Sequence, residues 1–183
     1  MSGETNVFLT GPPGVGKTTV VKRLVGLGRE RGASVRGVFS PEVRDDGERV
    51  GFEIVDVSTR RTETMARVGY DEPSVGKYGV DVSSVDEIAR EAVVADDADL
   101  VVVDEIAPMQ THSDVFVERV RAVLETETPV VGVVQEDCET GFVGSVKERD
   151  EATLVRITER NRDDVPDELV GLVFDNEGSP QRF

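Results

Sequence analysis

At 183 residues the chain suffices for one well-buried domain and is short for two, and 38% hydrophobic content in Val-rich runs excludes a disordered chain. A formal charge of −16, from 37 acidic against 21 basic residues, disfavours nucleic acid and anionic membrane as partners. No apolar stretch is long enough to span a bilayer, Met1 to Thr5 carry no basic targeting region, and the lone Cys138 excludes an internal disulfide, so a cytoplasmic protein is expected.

Only Lys17, Lys22, Lys77 and Lys147 are lysines. A carboxylate-rich, lysine-poor surface suits a halophilic cytoplasm at molar salt, with a merely acidic mesophilic protein as the alternative.

Asn6–Thr10 is a short apolar run leading into a Gly-rich turn, which predicts a buried strand. The turn, Gly11-Pro12-Pro13-Gly14-Val15-Gly16-Lys17-Thr18, fits the phosphate-loop pattern G-x-x-x-x-G-K-[ST] at every fixed position. Glycines let successive backbone N–H groups converge on a phosphate, and the following helix adds its positive N-terminal end. Lys17 then reaches the β and γ oxygens, Thr18 offers its hydroxyl to Mg²⁺, and Thr19 adjoins the loop. Val20, Leu24 and Leu27 supply the apolar stripe of the helix, which Gly32 ends.

Residues 35–57 predict a hairpin, with Val35–Val43 and the alternating Val50, Phe52 and Ile54 joined at Asp46-Gly47. Glu42 and Arg44, at the end of its first strand, are candidate substrate contacts or solvated surface. Further extended structure is expected to Tyr78–Asp81. Ser84 with Glu87 reads as a capping box for a helix whose apolar face is Val85, Ile88, Ala89, Ala92 and Val93.

Leu100–Val103 is an apolar strand ending in Asp104-Glu105. Ligands bind beyond the carboxyl ends of such strands, so Asp104 is the expected Mg²⁺ residue and Glu105 the general base for water. A catalytic Glu directly after the metal Asp goes with an extra strand between the two motif strands, and Pro129–Val134 is the candidate. Gln135 would then emerge near the γ-phosphate, either orienting water or facing solvent.

His112, beside a helix start at Ser113, reads as surface, and Cys138 between acidic neighbours is no nucleophile. Phe116, Val120, Val123 and Leu124 mark another helix, Thr153–Ile157 a last strand, and Pro166 to Val173 a tail helix. Lys147 and Arg149 follow the apolar Phe142, Val143 and Val146. Arg149 is the candidate for an arginine finger supplied in cis, against a solvated charge pair. Asn161-Arg162-Asp163-Asp164 echoes a guanine-reading Asn-Lys-x-Asp with Lys replaced, so Asn161 and Arg162 are expected near the base without fixing its identity.

Interleaved buried strands and helices give an α/β fold, a mostly parallel sheet with helices on both faces, over a single domain spanning 1–183. With these motifs in place, the chain resembles the small P-loop nucleoside-triphosphatase family of thermophilic archaea and bacteria, relatives of the human cancer-related nucleoside-triphosphatase. The likeness runs from Asn6 to Phe174 and includes Gly37–Arg44, Gly51–Val55, Val75–Asp81, Asp104-Glu105-Ile106, Lys147-Glu148-Arg149 and Asn161-Arg162-Asp163. It implies an adenylate-kinase-like core of parallel strands and slow hydrolysis of ATP, GTP and other nucleoside triphosphates with loose base choice. The family's usual Gly-Lys-Met-Glu after that acidic strand end is replaced here by Ala107-Pro108-Met109-Gln110. Two rivals keep the nucleotide site: a kinase whose acceptor pocket lies in 38–81, and a nucleotide-gated binding module. Oligomeric state stays open, with a monomer favoured.

Overall fold

The computed structural model describes residues 5–175, so the targeting-segment reading at the N-terminus and the ends of the expected 1–183 domain lie outside it for residues 1–4 and 176–183. Strand β1 (Asn6–Thr10) runs into the phosphate loop and helix α1 (Lys17–Glu30). Then come β2 (Val35–Phe39), β3 (Glu42–Asp45), β4 (Glu48–Asp56), β5 (Thr62–Val68), β6 (Ser74–Val75) and β7 (Tyr78–Val80). Helix α2 (Val82–Ala92), β8 (Leu100–Ile106), α3 (Pro108–Thr111), α4 (Asp114–Leu124) and β9 (Val130–Val134) follow. The chain closes with α5 (Gly141–Lys147), β10 (Ala152–Arg156) and α6 (Val165–Phe174).

One sheet runs in the order β10-β1-β9-β8-β2-β4-β5-β7-β6, with β3 paired to β4 outside that path. The first five strands are mutually parallel, and the rest join antiparallel. β9 stands between β1 and β8, as the adjacent Asp-Glu pair predicts. Period-two alternation sends Val7 and Leu9 of β1 to one face, where Val20, Leu24 and Leu169 of α1 and α6 cover them. Phe8, Val101 and Val103 enter the other face beneath Ile88, Phe116 and Val120 of α2 and α4. Three layers result.

The excursion is larger than the expected hairpin. Ser40-Pro41 interrupts the run predicted as Val35–Val43, leaving β2 in the parallel sheet and β3 beyond it. The tight turn does form at Asp46-Gly47, both at positive φ (46° and 83°). The capping box at Ser84 does not form. Asp81 is the cap instead, its carboxylate accepting from the Ser84 N–H at 3.1 Å, because the helix starts at Val82, directly after β7. His112 is exposed. No helix among the described residues is long and apolar enough to cross a membrane.

Candidate active site

The phosphate loop connects the end of β1 to α1, so the helix N-terminus opens on it with no acidic residue in its first turn. Gly11 sits at φ 140°, and a Cβ there would meet the Ile157 carbonyl oxygen at 2.7 Å, so no larger residue fits between β1 and the chain after β10. Lys17 Nζ donates to the carbonyls of Gly11 (2.7 Å) and Pro12 (3.0 Å), which folds its stem across the loop.

Beside this loop β8 carries the two carboxylates just before its last residue, Ile106, with a ladder irregularity between Asp104 and Ile106. A cleft of about 620 Å³ lies between them, lined on one side by Gly14, Gly16, Lys17, Thr18 and Thr19. Asp104, Glu105 and Gln135 line the other side. The loop and both acids therefore share one cavity, as their strand ends require.

Burial dominates the titration of this site. Asp104 is 4% exposed, and desolvation lifts its carboxyl from 3.8 to about 6 against the Thr18 hydroxyl, Lys22 and Lys17, which draw it down. Its buried Oδ2 has no hydrogen-bond partner among the described residues. Glu105 is raised as well, first by desolvation and then by the Asp104 charge, while Lys17 opposes both. Desolvation in turn lowers Lys17, and the two carboxylates hold it up.

This gives a signed prediction for Asp104→Asn. The folded carboxyl holds its proton more tightly than an unfolded one, so its contribution favours folding below about pH 3.8 and is lost as pH rises through about 6. At pH 8, without metal, the substitution should raise stability by up to about 3 kcal/mol, with no gain at pH 4. Thermal melts in chelator at both pH values check this; a lower melting temperature for the variant at pH 8 contradicts it.

The remaining predicted residues divide. Pro12 and Val15 belong to the loop without lining the cleft, Pro12 being exposed and Val15 buried. Arg162 packs behind the loop, its guanidinium donating to the Val15 carbonyl at 3.1 Å and its Cδ closing over Gly16. Asn161 braces the turn after β10, accepting from the Thr158 N–H and donating to the Arg156 carbonyl. Neither lines the cleft.

Arg149 is a correction. It donates to Glu125 Oε1 at 2.7 Å and approaches the Leu124 carbonyl. Asn6, the first residue of β1, donates to the same Leu124 carbonyl, whereas the phosphate loop follows the last residue of β1. The segment leaves the sheet at the carboxyl edge, but α5 carries it back by about 10 Å before Arg149, to the opposite edge. Lys147 is likewise tied down, donating to the Glu136 carbonyl and to Glu139. Arg149→Ala should therefore leave kcat within about twofold and lower stability by no more than about 1 kcal/mol. Kinetics with a thermal melt test it; a tenfold loss in kcat at unchanged melting temperature restores the finger.

Arg49 is the cation that sequence reading missed. It lines the cleft, donates to Glu42 Oε1 at 2.8 Å and to the Tyr78 hydroxyl at 3.1 Å, and lies 5.2 Å from the Phe52 ring centre. Glu42 bridges Arg49 and Arg44, which sit directly opposite across the β3–β4 ladder. Of the earlier candidates here, Glu42 lines the cleft and Arg44 does not.

A family model described as NTPase matches residues 6–170. The chain belongs to this NTPase family. The nucleoside-triphosphatase THEP1 of Methanopyrus kandleri is 38% identical over 172 residues, covering 93% of this chain and 96% of that protein. The protein of the same name from Thermofilum pendens is 38% identical over 168 residues, 90% of this chain and 92% of the relative. Two solved NTPase structures share the fold. THEP1 from the hyperthermophile Aquifex aeolicus matches with TM-score 0.81 and 26% identity over 93% of this chain and 99% of that one. The human cancer-related nucleoside triphosphatase matches with TM-score 0.80 and 30% identity over 95% and 100% of the two chains. The family resemblance drawn from the motifs is thus borne out across nearly the whole described chain.

Proposed function

We propose that this chain hydrolyses nucleoside triphosphates to the diphosphate and phosphate, with Mg²⁺ as its metal. One observation carries the reading: a complete phosphate loop and an Asp-Glu pair, Asp104 buried and Glu105 half-buried, face each other across a single cleft. The relatives named nucleoside-triphosphatase support it.

The orphaned Asp104 Oδ2 and the Thr18 hydroxyl suit a hard oxygen-seeking cation. Among the described residues no three His, Cys, Asp or Glu side chains gather as a metal cage, which fits a cation completed by phosphate oxygens and water. When bound, Mg²⁺ neutralises charge developing on the β and γ oxygens. Loop N–H groups and Lys17 hold the same phosphates. Glu105, its carboxyl raised by burial, takes the proton of the water that attacks the γ-phosphorus. The bond to the β–γ bridging oxygen breaks and the diphosphate leaves. Gln135 stands at the same end of the cleft, where its amide orients that water. Asn161 and Arg162 sit behind the loop and favour loose base choice.

Phosphate release from ATP, GTP, CTP and UTP with Mg²⁺ should give kcat/KM values within about tenfold, or about 1.4 kcal/mol, and should stop in chelator. A thousandfold preference for GTP, or release indifferent to chelator, contradicts this reading. The acidic, lysine-poor surface supports a protein adapted to molar salt.

A further inference from the structure

Next to the nucleotide cleft lies a second chamber of about 320 Å³. Five residues line both cavities, namely Ser40, Arg49, Phe52, Glu105 and Gln135, so the chamber opens at the carboxylate assigned as the base. Its own walls are mainly apolar: Met65 from β5, Val75 and Tyr78 from the β6–β7 hairpin, and Met109 after β8.

Water alone does not need such a chamber. The rings of Phe52 and Tyr78 meet edge to face with centroids 5.3 Å apart, and the Arg49 guanidinium lies over both. That arrangement with two thioethers suits a flat aromatic body. Arg49 is already matched by Glu42, and Glu105 stands at the opening, so a further negative charge is disfavoured.

The polar signal is Gln110. It is 2% exposed, its Nε2 donates to the Ser40 hydroxyl at 3.1 Å, and its Oε1 is buried without a partner among the described residues. A buried amide oxygen left unpaired is costly, and its residue lines the chamber, where a small turn of the side chain would let a ligand N–H or O–H satisfy it.

We propose that this chamber binds a phosphoryl acceptor: a neutral, nucleoside-sized compound with a planar aromatic ring bearing an N–H edge and a free hydroxyl. The ring lies against Phe52 and Tyr78, the N–H edge donates to Gln110, and the hydroxyl replaces water beside Glu105. This rests on the nucleotide site described above. The hydroxyl oxygen forms a bond to the γ-phosphorus while the bond to the β–γ bridging oxygen breaks. The diphosphate leaves with that electron pair, and the hydroxyl proton passes to Glu105 and on to solvent. The products are a phosphate monoester and a nucleoside diphosphate.

The test uses the full chain with Mg²⁺ and ATP labelled at the γ-phosphate, with adenosine, guanosine, cytidine or uridine present at millimolar concentration. Label is partitioned between free phosphate and nucleoside monophosphate. At least one nucleoside should become labelled, and Gln110→Leu should lower the ratio of labelled nucleoside to free phosphate by about tenfold or more. Met109→Trp, which fills the chamber, should lower the same ratio. Melting temperatures of both variants establish that they are folded. Free phosphate with no labelled nucleoside overturns the acceptor proposal and leaves hydrolysis standing. Labelled nucleoside at an unchanged ratio in both folded variants overturns the pocket assignment. Neither product from any mixture sinks the nucleotide reading itself.

Discussion

Lys17→Ala should reduce kcat/KM for every nucleoside triphosphate by about 10³ or more, equivalent to about 4 kcal/mol. Among the described residues the ammonium is the one cation whose charge couples to both Asp104 and Glu105. Removing it withdraws the cation proposed to hold the β and γ oxygens and leaves the carboxylates of Asp104 and Glu105 facing the incoming phosphate charge. Binding and chemistry should therefore fall together. Phosphate release combined with a fluorescent-nucleotide titration checks this, and wild-type turnover in the variant would falsify the whole site.

Glu105→Gln should behave differently, slowing hydrolysis by roughly 10²–10⁴ while Mg²⁺ and nucleotide still bind. The amide keeps the shape of the side chain and loses its charge and the ability to take a proton. Asp104 and Thr18 still face the cleft, so the affinity measured by the same titration should stay within about threefold of wild type. Collapse of binding with rate would make Glu105 a metal ligand and reverse the two roles.

The parts legible in the sequence are those whose pattern is local. The phosphate loop is eight consecutive residues, and Asp104-Glu105 ends an unbroken apolar run, so both are fixed by neighbours along the chain. Even the place of β9, between β1 and β8, is the one expected from the adjacency of Asp104 and Glu105. The misreadings involve distance. Asp81 and Ser84 each offer a cap, and only the pairing of β7 with β5 decides where the helix can begin. The edge from which its segment leaves the sheet directs Arg149 to the cleft, and only the length of α5 returns it to the other edge. Arg49 and Gln110 carry no motif. Arg49 acquires meaning when Glu42 and Tyr78 close around it, and Gln110 when Ser40, 70 residues away, takes its amide.

The acidic surface and the carboxylates of the cleft obey different physics and should be separated in any experiment. Surface repulsion is screened over about 3 Å in molar salt, whereas groups inside the cleft are screened far less. Rate losses in Lys17 and Glu105 variants should accordingly persist at molar KCl.

The central claim is that water, activated at Glu105, attacks the γ-phosphorus. Hydrolysis of ATP in ¹⁸O-labelled water, with both products analysed by mass spectrometry, tests it most directly. One ¹⁸O should appear in the released phosphate and none in the diphosphate. Label in the diphosphate, or release of pyrophosphate and the monophosphate, would show attack at another phosphorus and contradict the account.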